Sequence, residues 1–373
     1  MTAPTSKDIA IIIPARNEAE RIGACLRALN GQFASRVRII LVLNNTDDET
    51  HEIALETASS LSLDVKILER VLMSEEGVGS ARRIGCDYAI GHLPHLRYLL
   101  TTDADCVAAP DWVSRNIDLL QSADAVCGKI ELLASEKGVL DGMNPALATN
   151  EGQYRKLVQT VYARYAPRSA DIDGTHGEAA GASLAFRKTA YQSIGGFEAI
   201  KCGEDRQIIR AMRLSGRRVL HADDAVVYAS CRLTGRAVGG MSDALKARIE
   251  GTDYLVDDCL PDADWLVASA RMGTLGVWPP IVPESGRVHV RDLLRHIQTL
   301  NSFVSLIQVP IAEAAVPATT EGRASSQSAA LRYRRGPTCV PAGPTSQNSP
   351  ISVGFNTEQP IPTHRQMPPL KGE

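Results

Sequence analysis

The sequence predicts an α/β protein: a mostly parallel sheet flanked by helices, then a helical C-terminal extension and a disordered tail. Three observations carry this expectation. From Asp8 to about Ala123, short runs rich in β-branched residues alternate with amphipathic stretches across polar turns, the rhythm of βαβ units. From Ala244 to about Ile307 the pattern is helical, broken at Pro261 and at Trp278-Pro279-Pro280. Beyond it the composition shifts, with ten of the chain's 20 prolines in the last 64 residues amid Ser, Thr, Gln and Gly. The expected division is 1–235 for the sheet domain, 236–309 for the extension and 310–373 for the tail.

The individual elements follow from residue type and period. Strands are expected at Ile9 to Ile13, Val37 to Leu43, Val65 to Leu68 and Tyr98 to Thr102, each a short apolar run closed by polar residues. Between them Glu18 to Leu29, Thr50 to Leu61, Val78 to Ile90 and Asp111 to Leu120 read as helices. A further strand is expected at Ala125 to Leu132, a helix around Gln153 to Tyr165, a strand at Ala182 to Arg187, a helix at Glu204 to Leu214 and one or two strands within Arg218 to Tyr228. Ligands of such sheets gather at the carboxyl ends of the strands.

Composition narrows the function. At 373 residues, 44 % hydrophobic and 22 % charged, the chain has enough apolar sequence for a large core. Forty basic against 43 acidic residues leave a formal charge of -3, without the basic excess that binding a phosphate backbone requires, so no nucleic-acid partner is expected. No run approaches the roughly 20 apolar residues of a membrane span, and the first residues lack a signal-peptide pattern. A cytoplasmic protein is expected, with peripheral membrane association left open. The eight cysteines form no C-x-x-C pair and read as small, reduced hydrophobes.

The polar clusters supply the chemistry. Asp103-Ala104-Asp105 puts two carboxylates, one residue apart, just beyond a buried strand. Mg²⁺ favours such oxygen ligands combined with substrate phosphates; capping of the helix near Pro110 is the structural alternative. Pro14-Ala15-Arg16-Asn17-Glu18 closes the first strand and offers donors to a ligand, with Asn17 as a simple N-cap otherwise. Asn44-Asn45-Thr46-Asp47-Asp48 ends the second strand with short polar groups suited to the edge of a flat heterocycle, or to a turn. Gly77-Val78-Gly79-Ser80-Ala81-Arg82 imitates a dinucleotide fingerprint but has Arg82 where a small residue is required; Arg82 and Arg83 at the head of a helix suit a diphosphate instead. Gly203-Glu204-Asp205 opens a helix with two acids, one of which suits a general base if the glycines before it bring that helix to the sheet edge.

Taken in order, these motifs, with Gly181-Ala182-Ser183 and Gly195-Gly196-Phe197, resemble the family 2 glycosyltransferases of GT-A fold over roughly Ile9 to Tyr228. The resemblance implies an inverting transfer of a sugar from a nucleotide diphosphate sugar to an acceptor hydroxyl, with Mg²⁺ or Mn²⁺. It implies that Pro14, Ala15 and Glu18 border the nucleotide, beside the donor Arg16; that Asn44 and Asp48 lie along the base; that Asp103 lies near ribose and metal; and that Asp105 is the metal ligand. Asp205 would be the general base, supported by Glu204, with Gly196-Phe197 near the acceptor. Asn44-Asn45 replaces the acidic pair that often reads uracil, and Arg206-Gln207-Ile208-Ile209-Arg210 lacks the signature of processive synthases, which favours a single transfer. Arg232 and Arg236, in a glycine-rich segment, are candidates for a lid over the diphosphate. The alternatives are a sugar nucleotidyltransferase, which should carry a glycine-rich loop in place of Pro14-Ala15-Arg16, and a non-catalytic nucleotide-sugar-binding module.

Overall fold

The computed structural model describes residues 6–73, 75–235, 240–251 and 253–308, without the side chains of 307 and 308. The tail expected at 310–373 lies outside these residues, as does Arg236. In chain order the elements are β1 Ile9–Ala15, α1 Ile22–Leu29, β2 Val37–Asn44, α2 Thr50–Ser60, β3 Val65–Arg70, α3 Gly77–His92, β4 Tyr98–Thr101, β5 Cys106–Ala108, α4 Trp112–Leu119, β6 Ala125–Leu132, α5 Pro145–Tyr165, β7 Leu184–Arg187, α6 Lys188–Ser193, α7 Glu204–Leu214, β8 Val219–Ala229, α8 Met241–Glu250, α9 Ala263–Met272 and α10 Leu293–Gln308.

The sheet runs β3-β2-β1-β4-β7-β6-β8-β5. β3, β2, β1 and β4 are mutually parallel; β7 is antiparallel to both neighbours, and β5 is antiparallel to β8. In β1, Ile9, Ile11 and Ile13 face a core completed by Leu26, Ala54 and Trp112 of α1, α2 and α4. Ala10 and Ile12 face the opposite core, with Ala81, Phe197, Ile209 and Met212 from α3, α7 and the loop before α7. A strand covered on both faces has no polar alternation, which is why β1 reads as an unbroken apolar run. The expected mostly parallel sheet flanked by helices is therefore present.

A third apolar cluster lies apart from the sheet. Tyr154, Val158, Val161 and Tyr162 of α5 pack with Leu266 of α9, Leu293, Ile297 and Leu300 of α10, and Trp278. Trp278 donates from Nε1 to the Gly177 carbonyl at 2.7 Å, and its ring meets Tyr162 edge-on. Among the described residues, no helix is long and apolar enough to cross a membrane.

Several boundaries differ from the sequence expectation. α1 begins at Ile22 rather than Glu18, because residues 16–21 are held as a turn: the Glu18 N-H donates to Thr50 Oγ1 at 2.8 Å and the Ala19 N-H to Asp48 Oδ2 at 3.1 Å. Asn17, at φ 54°, is not the N-cap; Arg21 occupies that position. β5 was not foreseen, since three residues carry too little period to register.

Candidate active site

β4 ends at Thr101, and Asp103 to Cys106 forms a tight turn in which the Cys106 N-H donates to the Asp103 carbonyl at 3.1 Å. The two aspartates are thus brought together by this turn and not by the pleat of a strand. Neither caps α4, whose N-cap is Asp111. Oxygens of Asp103 and Asp105 and the sulfur of Cys106 lie within 4.8 Å of one another. Burial keeps the Cys106 thiol protonated, raising it well above its ordinary value, so the available donors are carboxylate oxygens. That set fits Mg²⁺ or Mn²⁺ and does not fit a soft metal. Burial, with Asp103 alongside, pushes the Asp105 carboxyl up to about 6, against the opposing pull of Arg232.

Arg82 links this turn to α7. Its side chain is only 3 % exposed; Nη2 donates to Asp103 and Nη1 to Glu204. Burial alone would disfavour the guanidinium charge, but Asp103 and Glu204 more than offset that. Glu204 is itself raised, by burial first and by neighbouring Asp205, with Arg82 opposing. A Cβ on Gly181 would lie 2.4 Å from the Arg82 guanidinium, so the planar group requires a glycine against its face. A Cβ on Gly79 would lie 2.7 Å from the Glu198 carbonyl and 2.8 Å from Glu204 Cβ. The glycines that imitated a dinucleotide fingerprint serve this close approach of α3 to the start of α7.

Asp205 is half-buried beside Glu204. Its Oδ2 accepts the Gly181 N-H at 3.0 Å and its Oδ1 accepts the Arg206 N-H at 2.7 Å, which fixes the plane of the carboxylate and leaves each oxygen a further lone pair.

The β1–β2 edge completes the neighbourhood. Pro14 and Ala15 are buried at the end of β1, while Arg16 is exposed. Glu18 is 6 % exposed and forms a two-pronged pair with Arg232, at 2.7 and 2.6 Å. Asn44 is half-buried at the end of β2, and exposed Asp48 accepts the Ala19 and Thr50 N-H groups. Asn45 braces the ends of β2 and β3 by exchanging hydrogen bonds with the Leu72 backbone at 2.9 and 2.8 Å. The Phe197 side chain is fully buried against Phe186 and Tyr191. Ser183 is buried and accepts the Trp112 indole N-H at 2.9 Å.

Sequence reading missed a second charged group beside Asp205. Asp257 pairs with Arg155 at 3.1 Å and Arg206 at 3.2 Å, tying α5 and α7 to the loop before α9, and Arg206 also reaches Asp258. Half-buried Glu178, whose carboxyl desolvation raises, lies in the same field. Glu136 was missed as well: it accepts from Arg21 at 2.7 Å and from the Cys231 N-H at 2.8 Å. These residues stand in segments of weak period, and only the tertiary fold brings them together.

Residues 10–160 match the family model described as Glycosyl transferase family 2. Over this segment the chain is similar to the family 2 glycosyltransferases. The matched segment runs from β1 into α5 and includes Asp103 and Asp105; Glu204 and Asp205 lie beyond it. A curated relative, Glycosyltransferase AglE of Haloferax volcanii, is 29 % identical over 128 residues, which cover 33 % of this chain and 39 % of the relative. The match therefore spans about two fifths of that relative's length. Among solved structures, the chain is similar to S. aureus TarS 1-349 (TM-score 0.44, 16 % identity, 60 % of each chain). It is also similar to the mannosyltransferase PcManGT from Pyrobaculum calidifontis, solved with GDP-Man and Mn²⁺ (TM-score 0.46, 15 % identity, 72 % of each chain).

Proposed function

We propose that this chain transfers one sugar from a nucleotide diphosphate sugar to an acceptor hydroxyl in a single inverting displacement. The observation that supports it most is the Arg82 guanidinium, which donates to Asp103 of the metal motif and to Glu204 of the α7 turn and so ties the two carboxylate pairs to one group. Asp105, with Asp103, would hold Mg²⁺ or Mn²⁺. Bound there, the ion supplies positive charge for the diphosphate as it leaves.

The remaining roles fall to this chain's own side chains. Pro14, Ala15, Arg16 and Glu18 border the nucleotide; Asn44 and Asp48 lie along its base. As the bond from the anomeric carbon to the diphosphate oxygen breaks, the electron pair leaves with the diphosphate. The acceptor oxygen bonds to the opposite face of that carbon, and its proton passes to Asp205. Gly181 and Arg206, donating to Asp205, hold the carboxylate in the plane this transfer requires. Glu204 supports it through Arg82, and that guanidinium, paired with Asp103 and Glu204, acts on the diphosphate through Asp103.

The experiment is release of nucleoside diphosphate from a panel of nucleotide sugars by wild type, Asp105→Asn and Asp205→Asn. Wild type should select one donor. Asp205→Asn should lower kcat about 10²- to 10⁴-fold with the donor KM little changed, as expected for loss of a general base. Equal turnover by Asp205→Asn and wild type contradicts the assignment.

A further inference from the structure

We propose that Arg232 occupies the ligand face of Asp105 and competes with the divalent ion for it, so that loading the metal and releasing the 230–232 strap are one event. The inference rests on the reading of Asp103 and Asp105 as the metal motif.

Arg232 Nη1 and Nη2 reach the two oxygens of Glu18 at 2.7 and 2.6 Å, and Nη2 lies 2.9 Å from Asp105 Oδ2. The other oxygen of Asp105 faces the Cys106 thiol at 3.6 Å. Each oxygen thus carries one such partner, and a cation arriving at Oδ2 meets the guanidinium there. Two cations within a few ångströms of one carboxylate repel strongly at the low effective dielectric of a partly buried site. Among the described residues the Arg232 Nε is buried without a hydrogen-bond partner, so the guanidinium is held through Nη1 and Nη2 by Glu18 and Asp105.

The strap is built to stay near while its tip moves. Glu136 accepts the Cys231 N-H at 2.8 Å and the Ser230 hydroxyl at 3.1 Å, and is itself held by Arg21 at 2.7 Å. Arg232 follows this anchor directly. The cleft it lines with Asn17, Glu18, Ala19, Glu20, Arg21 and Asp48 measures about 190 Å³.

The test is Mn²⁺ binding without nucleotide, followed by the electron paramagnetic resonance signal of free Mn²⁺. Arg232→Ala and Arg232→Gln should bind Mn²⁺ about tenfold more tightly than wild type, the size of one ~1.4 kcal/mol interaction removed. Arg232→Lys, which keeps the charge, should stay near wild type. A wild-type Kd in folded Arg232→Ala and Arg232→Gln overturns the proposal. A second measurement uses the intact protein: Mn²⁺ alone should speed tryptic cleavage after Arg232, and unchanged cleavage counts against displacement. Mn²⁺ binding that survives Asp105→Asn is a different result, which removes the metal reading itself.

Discussion

Arg82 is the residue on which the candidate site turns, and its neighbour Gly181 offers a way to move it. Removing Arg82 outright would strand two carboxylates, Asp103 and buried Glu204, and destabilise the fold as much as the site. Gly181→Ala instead places a methyl group against the guanidinium face. It should cost about 1–3 kcal/mol in thermal or denaturant unfolding, the usual range for overpacking, and lower kcat more than tenfold while the protein remains folded. An unchanged kcat would mean that the Asp103–Arg82–Glu204 bridge has no part in turnover. The motif residues at this scale were legible because each stands just past a strand or at a helix start. The burial of Arg82 was not, since an arginine at the head of a helix reads as a surface cation until its two partners, 21 and 122 residues away, are brought to it. The same blindness hid the pairing of Glu18 with Arg232.

Among elements, α7 is held from two sides: by α3 through the glycines near Glu204, and by the loop before α9 through Asp257. Burial opposes ionisation of Asp257, yet Arg155 and Arg206 outweigh it and hold this carboxyl well below the usual range. A carboxyl lowered in the folded state contributes stability that is present above its unfolded value, near 4, and is lost as pH falls through the folded value. Asp257→Asn should therefore be less stable than wild type at pH 7 by about 1.5–3 kcal/mol, and the difference should narrow as the pH drops below about 4. A gap that stays constant down to pH 3 would show that the Asp257 charge is not what holds α7. Strand positions were readable because parallel strands leave long Ile and Val runs. Helix starts such as α1 were displaced because a turn of hydrogen-bonded Asp48 and Thr50 side chains competes with the helical period.

For the molecule as a whole, the decisive packing is that of α5. The sequence places this helix within the sheet domain by order along the chain, yet Tyr154, Val158, Val161 and Tyr162 share their core with α9, α10 and Trp278. Each such side chain is stabilised by about 1.5–3 kcal/mol on burial. A chain ending at residue 235 should therefore be insoluble or partly unfolded by circular dichroism, and Trp278→Ala in the full chain should cost about 3–5 kcal/mol. A soluble, cooperatively melting 1–235 fragment would contradict this. The spacing of Tyr154, Val158, Val161 and Tyr162 marks an apolar helix face, but it does not say which elements cover that face. The account's central claim is that Asp105 couples a divalent ion to a nucleoside diphosphate, and the most direct measurement is the thermal shift with a panel of nucleoside diphosphates, with and without Mn²⁺. The account predicts that one nucleotide raises the Tm of the wild type only when Mn²⁺ is present, and that the gain disappears in Asp105→Asn. A nucleotide-induced shift of equal size without Mn²⁺, or one retained by Asp105→Asn, would contradict it.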